Sequence, residues 1–149
     1  MANSIQYAKI VSVPSEKVDT NELAGRVRVA FAEYEASAEQ STVTMFTIPN
    51  GARVLSGSVS YDALGTSTTI AVGHGAYTDS SGATVALDVD EYKAAAASTS
   101  AETVVSADTM ALGRNSVVDA DGDGIPVTVT LAGANGTGTI QLQMLYVKD

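Results

Sequence analysis

The chain has 149 residues, a formal net charge of −9, a pI near 4.3 and no cysteine. That length fits one domain whose core needs no covalent staple, and the missing cysteines exclude disulfides and thiolate zinc sites. Eight scattered Lys and Arg argue against a nucleic-acid partner, and one histidine without an evident neighbour argues against Ser-His-Asp or Cys-His catalysis, so no enzyme is expected.

Residues 1–24 differ in character from the rest of the chain. Ile5, Tyr7, Ile10, Val11 and Val13 supply apolar content before Pro14-Ser15-Glu16-Lys17 and Asp19-Thr20-Asn21 interrupt it. Two readings stand: a first edge strand with a loop after it, or an extended N-terminal arm that orders against a neighbour, with those five residues as its partner-binding side chains. MANSIQYAKI lacks the basic-then-apolar layout of a signal peptide, and no apolar run is long enough to span a bilayer, so synthesis in a cytoplasm and no membrane partner are expected.

Residues 25–149 read as a β-sandwich domain. Gly25 to Tyr34 alternates as a strand, with Val27, Val29 and Phe31 on one side and Arg26, Arg28, Ala30 and Ala32 on the other, taken as the solvent side. EYEASAEQ, ending at Gln40, is small and polar and reads as a loop. Met45 to Tyr77 is a three-strand meander, broken at Pro49-Asn50-Gly51 and Leu64-Gly65. Such a meander cannot bury its apolar face alone, so a second sheet must cover it.

AYTDSSG is a turn cluster and Thr84 to Leu87 a short strand. Asp88 and Asp90 can cap a short helix near residues 90–98, propagated by the alanines after Tyr92. Glu102 to Ser106 is β-branched, and Arg114 to Val118 reads as a further short strand. Val127, Val129 and Leu131 alternate with threonines, and AGANGTG is a hairpin turn. The last strand sets Ile140, Leu142, Met144 and Tyr146 against Gln141 and Gln143. The expected class is an all-β antiparallel sandwich, jelly-roll-like, of roughly eight to ten strands.

Three places invite chemistry. Asp119, Asp121 and Asp123 with Gly122 and Gly124 match the first half of an EF-hand-type calcium loop. Thr130 stands where a bidentate Glu is needed, so any calcium would be weakly held and structural, and an acidic turn is the simpler explanation. His74 lies between glycines at a strand end, which suits a structural hydrogen bond. Arg26 and Arg28 are candidates for pairing with carboxylates of a neighbouring subunit, the alternative being ordinary surface ion pairs.

TIPNGARVLSGSVSYDALGTSTTIAVG, then DVDEYKAAAASTSAET, then a Thr-, Gly- and Ile-rich strand ending in LYV, resembles small structural proteins of tailed bacteriophages, some of the head decoration, or cement, type. The resemblance covers roughly residues 25–147 and implies a subunit, commonly trimeric, on the outer capsid face of the virion, bridging adjacent copies of the major capsid protein. It carries no cofactor and no catalytic residues. Two other functions compete: a tail or baseplate component with the same sandwich, and a calcium- or carbohydrate-binding module. The absence of tryptophan weighs against a sugar platform.

Overall fold

The computed structural model describes residues 3–148. In chain order the elements are α1 (Ile5–Val11), β1 (Val27–Glu39), β2 (Thr42–Ile48), β3 (Arg53–Tyr61), β4 (Thr69–His74), β5 (Tyr77–Thr78), β6 (Thr84–Val85), β7 (Asp88–Ala97), β8 (Glu102–Ser106), a 3-10 turn (Met110–Leu112), β9 (Ile125–Ala132) and β10 (Gly136–Val147). Met1 and Ala2, the first residues of the expected arm, and Asp149 lie outside the described residues.

Two four-stranded sheets run in the orders β1-β10-β3-β8 and β2-β9-β4-β7, with every pairing antiparallel. Strands β1 to β4 alternate between the sheets, as do β8 to β10, and β4 to β7 stays within one. This is the strand order of a jelly roll. The expected three-strand meander is therefore corrected: β2 and β4 lie in one sheet and β3 in the other, each paired with a strand distant in sequence. Val59, Ile140, Leu142 and Met144 from one sheet and Ile70, Val72, Val127 and Val129 from the other are almost wholly buried. Their strands alternate as the sequence predicts, because one face of each sheet must leave water.

The expected helix near residues 90–98 is instead strand β7. It pairs with β4, Val72 opposite Lys93 and Thr69 opposite Ala97, and it buries Tyr92 in the core. A ten-residue alanine-rich helix is marginal in water, so ladder bonds and burial of one tyrosine outweigh its intrinsic preference. Asp88, Asp90 and Glu91 therefore lie along a strand rather than capping a helix. The α-helix found among the described residues is α1. Its N-cap is Ser4, whose hydroxyl accepts from the Tyr7 N–H. No strand precedes Val27 among the described residues.

Two further expectations are corrected. EYEASAEQ is not a loop up to Glu39: β1 continues, pairing Glu35 with Thr139 and Ala36 with Gly138, and a bulge falls between Ser37 and Glu39. Pairing with long β10 supplies the partner bonds that local composition did not advertise. Arg114 to Val118 forms no strand, only the isolated bridge of Val117 to Arg53.

Candidate partner-binding surface

The strand register inverts the expected sides of β1. Ala30, Ala32 and Tyr34 stand opposite Met144, Leu142 and Ile140, which belong to the core, so that parity faces inward and Ala36 is buried. Val27, Val29 and Phe31 face out, each about 60% exposed (60%, 59% and 59%). Glu33 and Glu35 continue the same outward parity. Three apolar side chains of this size in a row on a solvent face mark a contact surface.

The remainder of that outer face is mostly hydroxyl and amide, with exposed Val105 at its far strand. Gln141 and Gln143 of β10 stand opposite Ser60 and Ser58 of β3, which in turn face Thr103 and Val105 of β8. Ser60 and Thr103 share a hydrogen bond of 2.9 Å. A shallow hollow of about 150 Å³ lies between Phe31 and these groups. A larger one of about 680 Å³ continues toward Glu33, Asp62 and Glu102. The Glu33 carboxylate accepts from the Gln141 amide and Glu35 from the Thr139 hydroxyl, both at 2.7 Å.

Arg26, just before β1, and Arg28, on the opposite parity from Val27, Val29 and Phe31, are both exposed. The Arg28 Nε–H donates to the Lys148 carbonyl at 2.8 Å. Neither arginine forms an ion pair with a described residue. Arg28 shares the inward parity of β1, yet it stays in water because the core ends before it.

The N-terminal segment is held mainly by one carboxylate. Helix α1 buries none of its residues, and Ile5 (72%), Tyr7, Ile10, Val11 and Val13 (98%) are all exposed. Glu22 accepts from the Gln6 amide at 3.1 Å and lies 3.6 Å from both Lys9 of α1 and Arg53 of β3. Asn21 adds backbone links to the same place, donating to the Gly51 carbonyl and accepting from Arg53 Nε–H. The Gln6 hydrogen bond, followed by the Lys9 and Arg53 charges, holds the Glu22 carboxyl below the usual carboxylate range against an opposing effect of burial. A lowered carboxylate contributes fully above its unfolded pKa and is lost as pH falls through the lowered value. Glu22→Gln is therefore expected to loosen the segment at neutral pH, with the wild type approaching it only in acid. Tryptic cleavage after Lys9 should quicken about twofold to fivefold, the scale of a surface ion pair. An unchanged rate would show that Glu22 does not hold the segment.

Asp119, Asp121 and Asp123 are exposed on the loop before β9. No three His, Asp or Glu among the described residues converge as a metal-holding group. The loop is tied down by its backbone: the Asp121 N–H donates to the Thr78 carbonyl at 2.7 Å and the Ala120 N–H to Asn50 Oδ1. His74 is buried, its Nδ1 2.9 Å from the Gly75 carbonyl and its ring edge-on to Tyr77. Asp88, opposite His74 in the ladder, is held down chiefly by the Asp90 backbone N–H, while burial pushes Glu91 up.

Sequence reasoning named Arg26, Arg28, Ile5, Tyr7, Ile10, Val11 and Val13, all of which are exposed, and set the Val27, Val29 and Phe31 stripe on the wrong side of β1. One signal was present: Val27, Val29 and Phe31 share their parity with Glu33 and Glu35, and a buried face does not take two unpaired carboxylates. Glu22 had no local signal, since its partners come from residues 6, 9 and 53.

No family model and no curated protein matches the sequence. The fold does have solved counterparts. A chain of the cyanophage Pam1 capsid asymmetric unit aligns with a TM-score of 0.58 and 18% identity over 84% of this chain and 86% of that one. A chain of the capsid of Ralstonia phage GP4 gives 0.61 and 20% over 84% and 86%. A chain of the acid-stable capsid of Helicobacter pylori bacteriophage KHP30 gives 0.55 and 17% over 82% and 87%. At these identities the shared property is the fold.

Proposed function

We propose that this protein is a virion structural protein that decorates the outer surface of a phage capsid and cements adjacent major capsid subunits. The observation that carries this reading is the likeness in fold to chains of three phage capsids, over 82–84% of this chain. The surface fits the role: an outward apolar stripe on a sheet, and an N-terminal helix none of whose apolar residues is buried.

Cementing needs no reaction. A ligand that binds only the assembled lattice stabilises it by mass action, and bridging adds contact area that must be lost before the shell opens. Several copies acting together, three in the assembly implied by the sequence resemblance, engage several lattice sites at once and gain avidity. The N-terminal segment is assigned the grip on the shell. The acidic body suits an outward position away from packaged nucleic acid.

The test is copy number. In purified particles, quantitative gel analysis is expected to show this protein at a level close to that of the major capsid protein. A copy number far below it would place the protein at a unique vertex or in the tail, and absence from particles would discard the reading.

A further inference from the structure

Two rows of side chains cross the outer face of the β1 sheet. One runs Glu33, Gln141, Ser60, Thr103 over four strands. The next runs Phe31, Gln143, Ser58, Val105 in the same strand order. Three strand spacings make each row about 14 Å long, and two residues of rise set the rows about 7 Å apart. The two hollows on this face share Ser60, Thr103 and Gln141, so they are continuous, with the Phe31 ring at one end.

The lining selects among ligands. Glu33, Asp62 and Glu102 contribute carboxylates, and no Lys or Arg among the described residues lines either hollow, so the trough repels an anion. Hydroxyls and carboxamides cover much of the floor, and a purely apolar ligand would strand them without partners. The polar groups are already fixed by one another. Gln141 donates to Glu33 at 2.7 Å, Ser60 and Thr103 share a bond of 2.9 Å, and the Thr139 N–H holds Asp62 at 3.0 Å. Each retains spare capacity, because a carboxamide has a second N–H and a carbonyl oxygen and a carboxylate has several lone pairs. Gln143 is exposed beside the Phe31 ring. Fixed, half-used donors and acceptors next to an exposed ring match a ligand with many neutral hydroxyls and a C–H face. Groups ordered in advance also lower the entropy cost of binding it.

We propose that this trough binds a neutral saccharide, with the Phe31 ring against the C–H face of one sugar unit and Glu33, Gln141, Gln143 and the Ser60–Thr103 pair bonded to its hydroxyls. Phenylalanine offers less ring than the tryptophan this chain lacks, so each site is weak. On a particle carrying many copies, such sites would act together on one polysaccharide, a consequence that rests on the proposed place in the shell.

Titration of the 15N-labelled full chain with maltotriose, cellotriose or N-acetylchitotriose, followed by NMR, tests it. At least one of these sugars is expected to shift the amide signals of residues 58–60, 103 and 141–143 saturably, with a Kd of about 1–10 mM. Raising salt to about 0.5 M is expected to leave binding unchanged, because the ligand is uncharged. Phe31→Ser and Gln141→Ala are each expected to weaken binding about tenfold or more. Glu33→Gln keeps a planar hydrogen-bonding group and is expected to bind within about threefold of the wild type. Circular dichroism melting establishes that each variant is folded.

The proposal is overturned if none of the three sugars shifts these signals at about 50 mM, or if folded Phe31→Ser and Gln141→Ala bind like the wild type. It is equally overturned, in favour of a basic protein partner, if trilysine shifts the same signals, is released by salt and fails on Glu33→Gln while no sugar binds. None of these results bears on the copy number in particles, so this proposal and the assignment to the shell fail separately.

Discussion

Removing residues 1–24 is expected to weaken binding to expanded heads by on the order of 100-fold or more while leaving the sandwich folded. The physical reason is the distribution of apolar surface. Ile5, Tyr7, Ile10, Val11 and Val13 are exposed, and α1 contributes no buried residue to its own chain. Burying one such side chain fully is worth about 1.5–3 kcal/mol, so even partial burial of two of them at a lattice site covers the predicted loss. The body loses little by the deletion. What ties the segment down is mostly the Glu22 carboxylate with Lys9 and Arg53, a half-buried pairing at 3.6 Å of modest value. Melting should therefore shift by only a few degrees. Binding to heads measured by co-sedimentation decides the matter: a truncated chain that binds as tightly as the full one removes the N-terminal segment from the interface.

The second large effect is on the fold. Gly73→Ala is expected to destabilise the protein by about 3 kcal/mol or more, a fall in Tm of roughly 6–12 °C at this size. Gly73 lies in β4 where β7 approaches most closely. A Cβ there would collide with the Asp88 carbonyl oxygen and the Val89 carbonyl carbon, and it would come within 2.7 Å of the Asp90 nitrogen. These are backbone atoms, which cannot rotate away as a side-chain tip can. The β4–β7 pairing must open, and with it the seat of Tyr92. The glycine is required for the absent side chain and not for a left-handed backbone. Thermal melting of the variant checks this, and a Tm within 2 °C of wild type would show that β7 can shift without loss.

The small residues around this pairing explain why β7 was illegible from sequence. Ala94 to Ala97 are good helix formers, and nothing local says that Thr69 and Ile70 of β4 pair with Ala97 and Ala96, or that β4 approaches Asp88 to Asp90 through a glycine. The same holds for β1 beyond Tyr34, where pairing with β10 extends a strand through residues that read as a loop.

Alternation alone determined the all-β class, the existence of three strands between Thr42 and His74 and the inward faces of β9 and β10, but not the pairing of those three strands, which are split between the sheets instead of forming the expected meander. A period of two is imposed by the pleat itself and survives any partner. It also put Arg26 and Arg28 on one parity, while apolar content drew attention to the five residues near the N-terminus with an edge strand and an arm both open. Alternation cannot say which parity faces in when both sides of a strand are apolar or small. On β1 that choice belonged to β10: Met144, Leu142 and Ile140 stand opposite Ala30, Ala32 and Tyr34 and take them into the core, which leaves Val27, Val29 and Phe31 in water. Only the tertiary structure could decide this, because burial depends on what the neighbouring strand presents across the ladder.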